Sequence, residues 1–226
     1  MLGYKGIIFD FNGVLCWDTA QQTRSWDVYA AQLRGVPFNA EELREHVIGR
    51  DNRYILKHLT GKAFEGAELA YHTEAKESIY RRLCLEMGVD FQLSPGAAGL
   101  LDELSARGIR RSIATSAGKG NMLFYFQQLG LARWFRFAQV VYDDDHIAPK
   151  PAPDAYLLAA RRLELAPSVC AVVEDSEHGI RAAREAGIGC IVALGPAEQH
   201  AQLMDIEGVR SVVENLGQLP VEALFG

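Results

Sequence analysis

The feature that most constrains the fold is a short apolar segment near the N-terminus that ends in a carboxylate. Residues 5–10 read KGIIFD, which is the pattern of a buried strand closed by Asp10. Gly13 follows, where the backbone can turn away without a steric penalty. Open α/β sheets bind ligands at the carboxyl ends of their strands. We therefore expect Asp10 to serve as a metal ligand, a nucleophile or both.

From residue 94 onward, strand and helix patterns alternate along the chain. The sequence predicts strands at 110–115, 137–142, 169–173 and 189–194, with a short edge strand at 211–213. Predicted helices at 94–107, 121–129, 154–163 and 177–186 separate most of these strands. Such alternation indicates right-handed βαβ units, and hence a doubly wound, Rossmann-like parallel sheet of the α/β class.

Residues 18–87 lack a convincing strand pattern and show helical periodicity instead. We predict helices at 18–33, after the N-cap Asn39, at 52–59 and at 65–87. The predicted organisation is a Rossmann-like catalytic core of residues 1–15 and 92–226. A helical cap domain of residues 16–91 is inserted after the first strand.

Charge and cysteine content narrow the function classes. A formal net charge of −6 argues against nucleic acid or an anionic membrane as the main partner. The four cysteines are scattered without a C-x-x-C pair, which disfavours a zinc site or a disulfide framework. We expect a cytoplasmic protein without a membrane span, either a monomer or a weak homodimer.

Polar side chains follow four of the predicted strands. Asp10 ends the first and Thr115–Ser116 the second, while Lys150 lies in a proline-rich loop after the third. Glu174 and Asp175 follow the fourth. Each group alone is more typical of a helix cap or a surface loop than of a site. Their order along the chain favours one shared site, with carboxylates suited to Mg²⁺ and with Lys150 and Thr115 suited to a phosphate.

These segments resemble the haloacid dehalogenase superfamily of aspartyl phosphotransferases. The resemblance lies in DFNGV at 10–14, IATS at 113–116, KPAPD at 150–154 and VEDSEHGI at 173–180. The last two segments are most similar to the β-phosphoglucomutase-like and sugar-phosphate phosphatase branch. The resemblance implies that Asp10 is a nucleophile that forms an aspartyl-phosphate. It also implies that Thr115 holds the phosphoryl group, with Ser116 as a weaker second contact, and that Lys150 balances charge.

The same resemblance implies a Mg²⁺ site. Asp10, Asp175 and the backbone carbonyl of Asn12 would bind the ion, and Glu174 would be a ligand directly or through water. In the cap domain, Arg50 and Lys76 are candidates to contact the substrate, although a solvated helix surface is an equally ordinary role for such residues.

Asn12 departs from the family pattern, which has an aspartate at this position to transfer protons. An amide keeps the size and much of the hydrogen bonding but carries no proton at physiological pH. Asn12 is either the natural residue or an engineered replacement. The leading hypothesis is a Mg²⁺-dependent phosphatase of a small phosphorylated metabolite. The alternatives are a phosphomutase of the β-phosphoglucomutase type and an impaired phosphatase scaffold that acts by binding.

Overall fold

The computed structural model describes residues 3–48, 50–144 and 146–226. The chain divides into two compact units. The first comprises Met1–Trp17 and Gln92–Gly226, and the second is Asp18–Phe91. In the residues described, no helix has the length and apolar character needed to cross a membrane.

The first unit is built on a six-stranded parallel sheet, which confirms the predicted doubly wound α/β core. Its strands are β1 (Gly6–Phe9), β2 (Arg110–Gly118), β3 (Val141–Asp143), β4 (Cys170–Glu174), β5 (Cys190–Leu194) and β6 (Val209–Val213). The order across the sheet is β3-β2-β1-β4-β5-β6. The chain therefore winds outward from β1 in both directions, and the order reverses between β1 and β4. Such a reversal is where doubly wound sheets leave a crevice for ligands.

Helices connect and cover these strands. The longer ones are α5 (Ala97–Ala106), α6 (Lys119–Gln128), α7 (Asp154–Arg162) and α8 (Glu177–Glu185), with two short helices, α9 (His200–Met204) and α10 (Val221–Phe225), near the C-terminus. The four residues of β1 are fully buried, as a central strand covered on both faces requires. Side chains from β1, β4, β5, α7 and α8 contribute to an apolar cluster of this unit.

Two strands differ most from their predicted bounds. β2 continues to Gly118 because Gly118 pairs with Asp143 after a register shift in the β2–β3 ladder. The strand predicted at 137–142 is reduced to β3, because Phe137–Gln139 forms a 3₁₀ turn in which Val140 N donates to Phe137 O. Phe137 contacts the ring of Phe126 on α6, so its apolar character reflects aromatic packing rather than a strand.

The second unit consists of helices only. They are α1 (Thr19–Arg34), α2 (Ala40–Glu42), α3 (Asn52–Thr60) and α4 (Gly66–Glu86). Its core combines large side chains from α1 and α3, such as Trp26, Tyr29 and Leu56, with Ile79 of α4.

Local capping chemistry sets several of the helix ends in this unit. The predicted N-cap Asn39 forms a full capping box with Glu42. Gly35 and Gly61 end α1 and α3 in the left-handed conformation, which favours glycine. The helix predicted after Asn39 does not continue as a regular α-helix, because Leu43–Val47 is π-helical and Ile48 N donates to Leu43 O.

Candidate active site at the carboxyl edge of the sheet

Three carboxylates meet where the strand order reverses. Asp10 follows β1, Glu174 ends β4 and Asp175 comes next. Because Phe9 is paired with Val173, the ends of β1 and β4 lie side by side. One carboxylate oxygen from each acid lies within 4.8 Å of the others. The predicted convergence of these strand ends is thus seen in the fold of this unit.

Lys150 joins two of the carboxylates. Its Nζ lies 2.8 Å from Asp10 Oδ1 and 2.6 Å from Glu174 Oε1, and it donates to the Tyr156 hydroxyl at 3.1 Å. The Lys150 side chain is 9% exposed and that of Glu174 is fully buried, so water screens these ion pairs weakly. Tyr156, on the first turn of α7, also donates to Glu174 Oε1.

Glu174 is held by donors on both of its oxygens. Oε2 accepts hydrogen bonds from Asp175 N, Ser176 N and Ser176 Oγ, while Oε1 accepts from Lys150 and Tyr156. A Cβ on Gly179 would overlap this carboxylate. The close approach of the first turn of α8 to Glu174 therefore requires glycine at this position. Glu174 therefore fixes the position of Lys150 and of the loop after β4.

The pKa values in this cluster reflect burial and crowding. Burial raises the pKa of Asp10 to about 7, with Glu174 adding to the shift and Lys150 opposing it. Burial and repulsion by Glu174 and Asp10 hold the pKa of Asp175 well above its usual range. Burial alone would raise the pKa of Glu174, but Lys150 and its other donors outweigh that effect and lower it. Burial alone would lower the pKa of Lys150, but the negative charges of Asp10 and Glu174 outweigh that effect and hold it well above its usual value.

The same residues fit a divalent cation. Three carboxylates share one ammonium group, so the cluster has an excess of negative charge that a small hard cation would neutralise. A Cβ on Gly13, whose φ is +85°, would overlap the carboxylate of Asp175. The glycine in the first loop thus leaves space for Asp175 next to Asp10. Oxygen-only donors of this kind suit Mg²⁺.

Thr115 lies at the same edge of the sheet. Ile113 of β2 is paired with Phe9 of β1, so Thr115, two residues further on, is level with the loop after Asp10. Thr115 is buried, and its Oγ1 accepts a hydrogen bond from Ala117 N at 3.1 Å. Ser116 is exposed. Thr115 belongs to β2 as the sequence predicted, and Ser116 belongs to it as well because the strand continues past its predicted end at residue 115.

The structure adds a contact of Asn12 that the sequence did not indicate. Asn12 Nδ2 donates to the hydroxyl of Tyr125 at 3.1 Å. Tyr125 is on α6, fully buried, and its ring stacks on Phe11 with a centroid distance of 4.2 Å. Tyr125 lies in the run LFYFQQ, where aromatic residues are expected from packing alone, and Tyr156 likewise carried no separate signal.

The two candidates in the helical unit have different surroundings. Arg50 is exposed, with its guanidinium 5.0 Å from the ring centroid of Tyr54. Lys76 is buried on α4, and its Nζ donates to Gln22 at 2.6 Å and to Glu77 at 3.1 Å. These contacts enclose the Lys76 ammonium within this unit, so the alternative of a solvated helix surface is wrong for Lys76, and its contact with substrate stays a prediction.

Comparisons with known proteins point to one family. A sequence model of haloacid dehalogenase-like hydrolases matches residues 4–187, a span that contains every strand-end residue described above. The β-phosphoglucomutase of Bacillus subtilis (strain 168) is 28% identical over 228 residues, covering 97% of this chain and 93% of that protein. Hexitol phosphatase A of Escherichia coli (strain K12) is 30% identical over 200 residues, with coverages of 86% and 85%. The crystal structure of a HAD hydrolase, family IA, variant 3, from Entamoeba histolytica matches with a TM-score of 0.90 at 30% identity, covering 98% of this chain and 97% of that one.

Proposed function

Because the chain belongs to the haloacid dehalogenase-like hydrolases, we propose that it is a Mg²⁺-dependent phosphatase of small phosphorylated metabolites. Its catalytic nucleophile is Asp10, which becomes phosphorylated during turnover. The observation that carries this proposal is the contact between Lys150 Nζ and Asp10 Oδ1, 2.8 Å long, inside a buried cluster of acids at the reversal of strand order. Burial favours the protonated form of Asp10, and the fixed ammonium of Lys150 opposes that protonation.

The first half-reaction transfers the phosphoryl group to the enzyme. One carboxylate oxygen of Asp10 forms a bond to phosphorus, and the bond from phosphorus to the ester oxygen breaks. The ester oxygen leaves with the bonding electrons as an alkoxide or phenolate and takes its proton from solvent water. Thr115 holds a phosphoryl oxygen, and the ammonium of Lys150 compensates the charge between Asp10 and the transferred group. Glu174 and Tyr156 keep Lys150 at that point.

The second half-reaction releases phosphate. A water oxygen attacks phosphorus, the bond from phosphorus to Asp10 breaks with its electrons returning to the Asp10 carboxylate, and the attacking water loses its proton to bulk water. Asn12 accepts or donates hydrogen bonds in both steps but takes no proton. Its bond to Tyr125 fixes the plane of the amide, so that it orients the leaving oxygen or the water without acid–base work.

Asp10 and Asp175 would hold the Mg²⁺, with the backbone carbonyl of Asn12 as a third ligand. Glu174 would hold the surrounding groups in place, because its two oxygens accept hydrogen bonds from Lys150, Tyr156 and the loop after β4. The bound ion would neutralise the charge on the phosphate and on the clustered acids.

A phosphomutase is the second candidate, favoured by the similarity to a β-phosphoglucomutase. That activity needs a second phosphate-binding cation, for which Arg50 in the helical unit is the candidate. The two candidates differ in their product: a phosphatase releases inorganic phosphate, and a mutase returns an isomeric sugar phosphate.

The four free cysteines are consistent with work in the reducing cytoplasm.

A substrate screen with a chemical trap tests the proposal. Phosphorylated metabolites are incubated with the chain and Mg²⁺, released phosphate is measured, and the denatured protein is treated with hydroxylamine. We expect phosphate release and a hydroxylamine-labile phosphate on the peptide that contains Asp10. Asp10→Asn should show neither. Phosphate release by Asp10→Asn at the rate of the unmodified chain would contradict the assigned nucleophile.

Magnesium should stabilise the fold in a pH-dependent way. A ligand that binds only the folded state adds about 2.7 kcal/mol at a hundredfold excess over its dissociation constant. Because burial raises the pKa of Asp10 to about 7, a proton competes with the ion below that pH. The rise in melting temperature with Mg²⁺ should therefore be larger at pH 8 than at pH 6.

Melting curves with and without Mg²⁺ measure this effect. Asp175→Asn should abolish the difference between the curves. The matched control is Asp144→Asn, which removes an exposed carboxylate after β3 and should retain the difference. Equal stabilisation of both variants by Mg²⁺ would show that Asp175 is not a ligand of the ion.

Tyr125 is expected to position Asn12. Tyr125→Phe keeps the ring that stacks on Phe11 and removes the acceptor of the Asn12 amide. One hydrogen bond contributes about 0.5–1.5 kcal/mol, so kcat should fall about three- to tenfold while KM changes little. Tyr142→Phe on β3 is the control, expected to keep full activity. A Tyr125→Phe variant with unchanged kcat would show that the contact has no part in turnover.

A further inference from the structure

A groove at the opposite edge of the sheet contains an unusual concentration of positive charge. It has a volume of about 390 Å³ and is lined by four arginines, Arg110, Arg111, Arg136 and Arg162, with Glu164 as the one acidic lining residue. Four positive charges and one negative leave a local excess of +3, although the whole chain carries −6.

The topology separates this groove from the carboxylate cluster. Arg110 and Arg111 begin β2, whereas Thr115 lies toward its other end. Arg162 ends α7, the helix whose first turn carries Tyr156. The groove therefore lies at the amino edge of the strands, and Asp10 lies at the carboxyl edge.

Backbone carbonyls accept hydrogen bonds from arginines of the groove, and these neutral groups leave the positive charge uncompensated. Arg110 donates to the backbone carbonyl of Leu163 at 2.8 Å, and Arg162 donates to that of Val140. Among the described residues, the one ion pair made by the four arginines joins Arg110 to Glu164 at 4.0 Å, with side chains 51% and 86% exposed. An ion pair so open to water contributes little.

Arg111 has an unsatisfied donor at this place. Its terminal nitrogens donate to Ile109 O at 2.9 Å and to Ser105 Oγ at 2.6 Å. Its Nε is buried and has no acceptor in the described structure. A partly buried guanidinium without a counter-charge is costly, and an anion bound in the groove would remove that cost.

We propose that this groove binds a small anion with two or more phosphate groups, at a site separate from the catalytic edge. Guanidinium groups match phosphate oxygens with pairs of parallel hydrogen bonds, and one phosphate would leave much of the excess charge uncompensated. A volume of about 390 Å³ is within the range of small-molecule sites. Because Arg110, Arg111 and Arg162 are already oriented by backbone carbonyls, these three lose little side-chain freedom on binding.

Calorimetric titration of the full chain with tripolyphosphate, in the presence of EDTA, tests this site. We expect saturable binding of one anion per chain. Arg111→Gln combined with Arg136→Gln should raise Kd about tenfold or more, because each substitution removes charged hydrogen bonds. If the double variant fails to fold, Arg136→Glu replaces it as the test. Arg136 is exposed, so this substitution leaves the contacts of Arg111 in place and should still weaken binding.

Two controls locate the anion. Arg24→Gln combined with Arg82→Gln lowers the net charge equally and should leave Kd within about twofold, since neither side chain lines the groove. Thr115→Val alters the catalytic edge and should also leave Kd unchanged. The proposal is overturned if the wild-type chain does not bind tripolyphosphate, if the control pair weakens binding as much as the groove variants, or if Thr115→Val weakens binding and the groove variants do not. Equal affinity for citrate would overturn the phosphate assignment.

Discussion

Asn12→Asp is expected to accelerate the hydrolysis of alkyl phosphates by about 10²–10⁴-fold, the usual contribution of a positioned general acid and base. A sugar alkoxide is a strongly basic leaving group that needs a proton as it departs, and the amide of Asn12 has none to give. The water that attacks phospho-Asp10 needs a base, which Asn12 also cannot supply. The substitution keeps the size of the side chain, so the packing around it should change little.

The leaving group separates the two half-reactions. With p-nitrophenyl phosphate or an acyl phosphate, the unmodified chain should phosphorylate Asp10 without acid assistance and then hydrolyse it slowly. Rapid-quench kinetics should show a burst of product followed by slow turnover, and Asn12→Asp should remove the burst. Asn12→Ala is the control and should not gain activity. Fast, burst-free cleavage of an alkyl phosphate by the unmodified chain would contradict this account and would require another proton donor.

Lys150→Met is expected to destabilise the first unit by about 3–5 kcal/mol at neutral pH, as when one partner of a buried ion pair is removed. Glu174 is fully buried and would lose its cation, and Asp10 would lose the ammonium 2.8 Å from Oδ1. Catalysis should fall about 10²–10³-fold, because the charge that faces the transferred phosphoryl group disappears.

The pH dependence of that loss has a definite sign. In the unmodified chain the pKa of Glu174 is lowered, so its contribution to stability is present above the unfolded-state pKa and is lost as the pH falls through the folded-state value. In Lys150→Met this contribution is gone. In the variant, burial without the lysine raises the pKa of Glu174, so this group is protonated in both states near pH 4. The deficit in unfolding free energy should therefore be largest at neutral pH and should shrink towards about pH 4.

Urea unfolding of both proteins from pH 4 to pH 8 measures the deficit. Mg²⁺ should raise the stability of Lys150→Met by more than that of the unmodified chain, because the acids have no other cation. Lys119→Met removes an exposed lysine at the start of α6 and is the matched control. A deficit that is the same at all pH values would indicate lost packing of the lysine chain rather than unpaired charge.

The fold class was predictable because it rests on local patterns. Burial of whole strands gives continuous apolar segments such as GIIF in β1, and helix ends carry their own chemistry, as Asn39 and Gly61 show. Strand bounds were less predictable. β2 extends past its apolar stretch because β3 supplies hydrogen bonds, and Phe137 packs on a helix instead of continuing a strand.

The strand-end residues Asp10, Lys150 and Glu174 were predictable for a topological reason. In a parallel sheet all carboxyl ends meet at one edge, so polar residues after successive strands converge even though they are far apart in the chain. The sequence also gave the chemical type of each group, including the missing carboxylate at Asn12.

What only the tertiary structure decided is which side chains surround those residues. The contact of Tyr125 with Asn12, the enclosure of Lys76 by Gln22 and Glu77, and the grouping of Arg111 with Arg136 each join segments that no local pattern links. A tyrosine on a helix has the same sequence signal whether its hydroxyl faces water or the side-chain amide of Asn12. The sequence by itself therefore determined the fold class and the types of group at the strand ends, and the packing of helices on the sheet decided the partners, because hydrogen bonds and ion pairs depend on distances that only the folded chain sets.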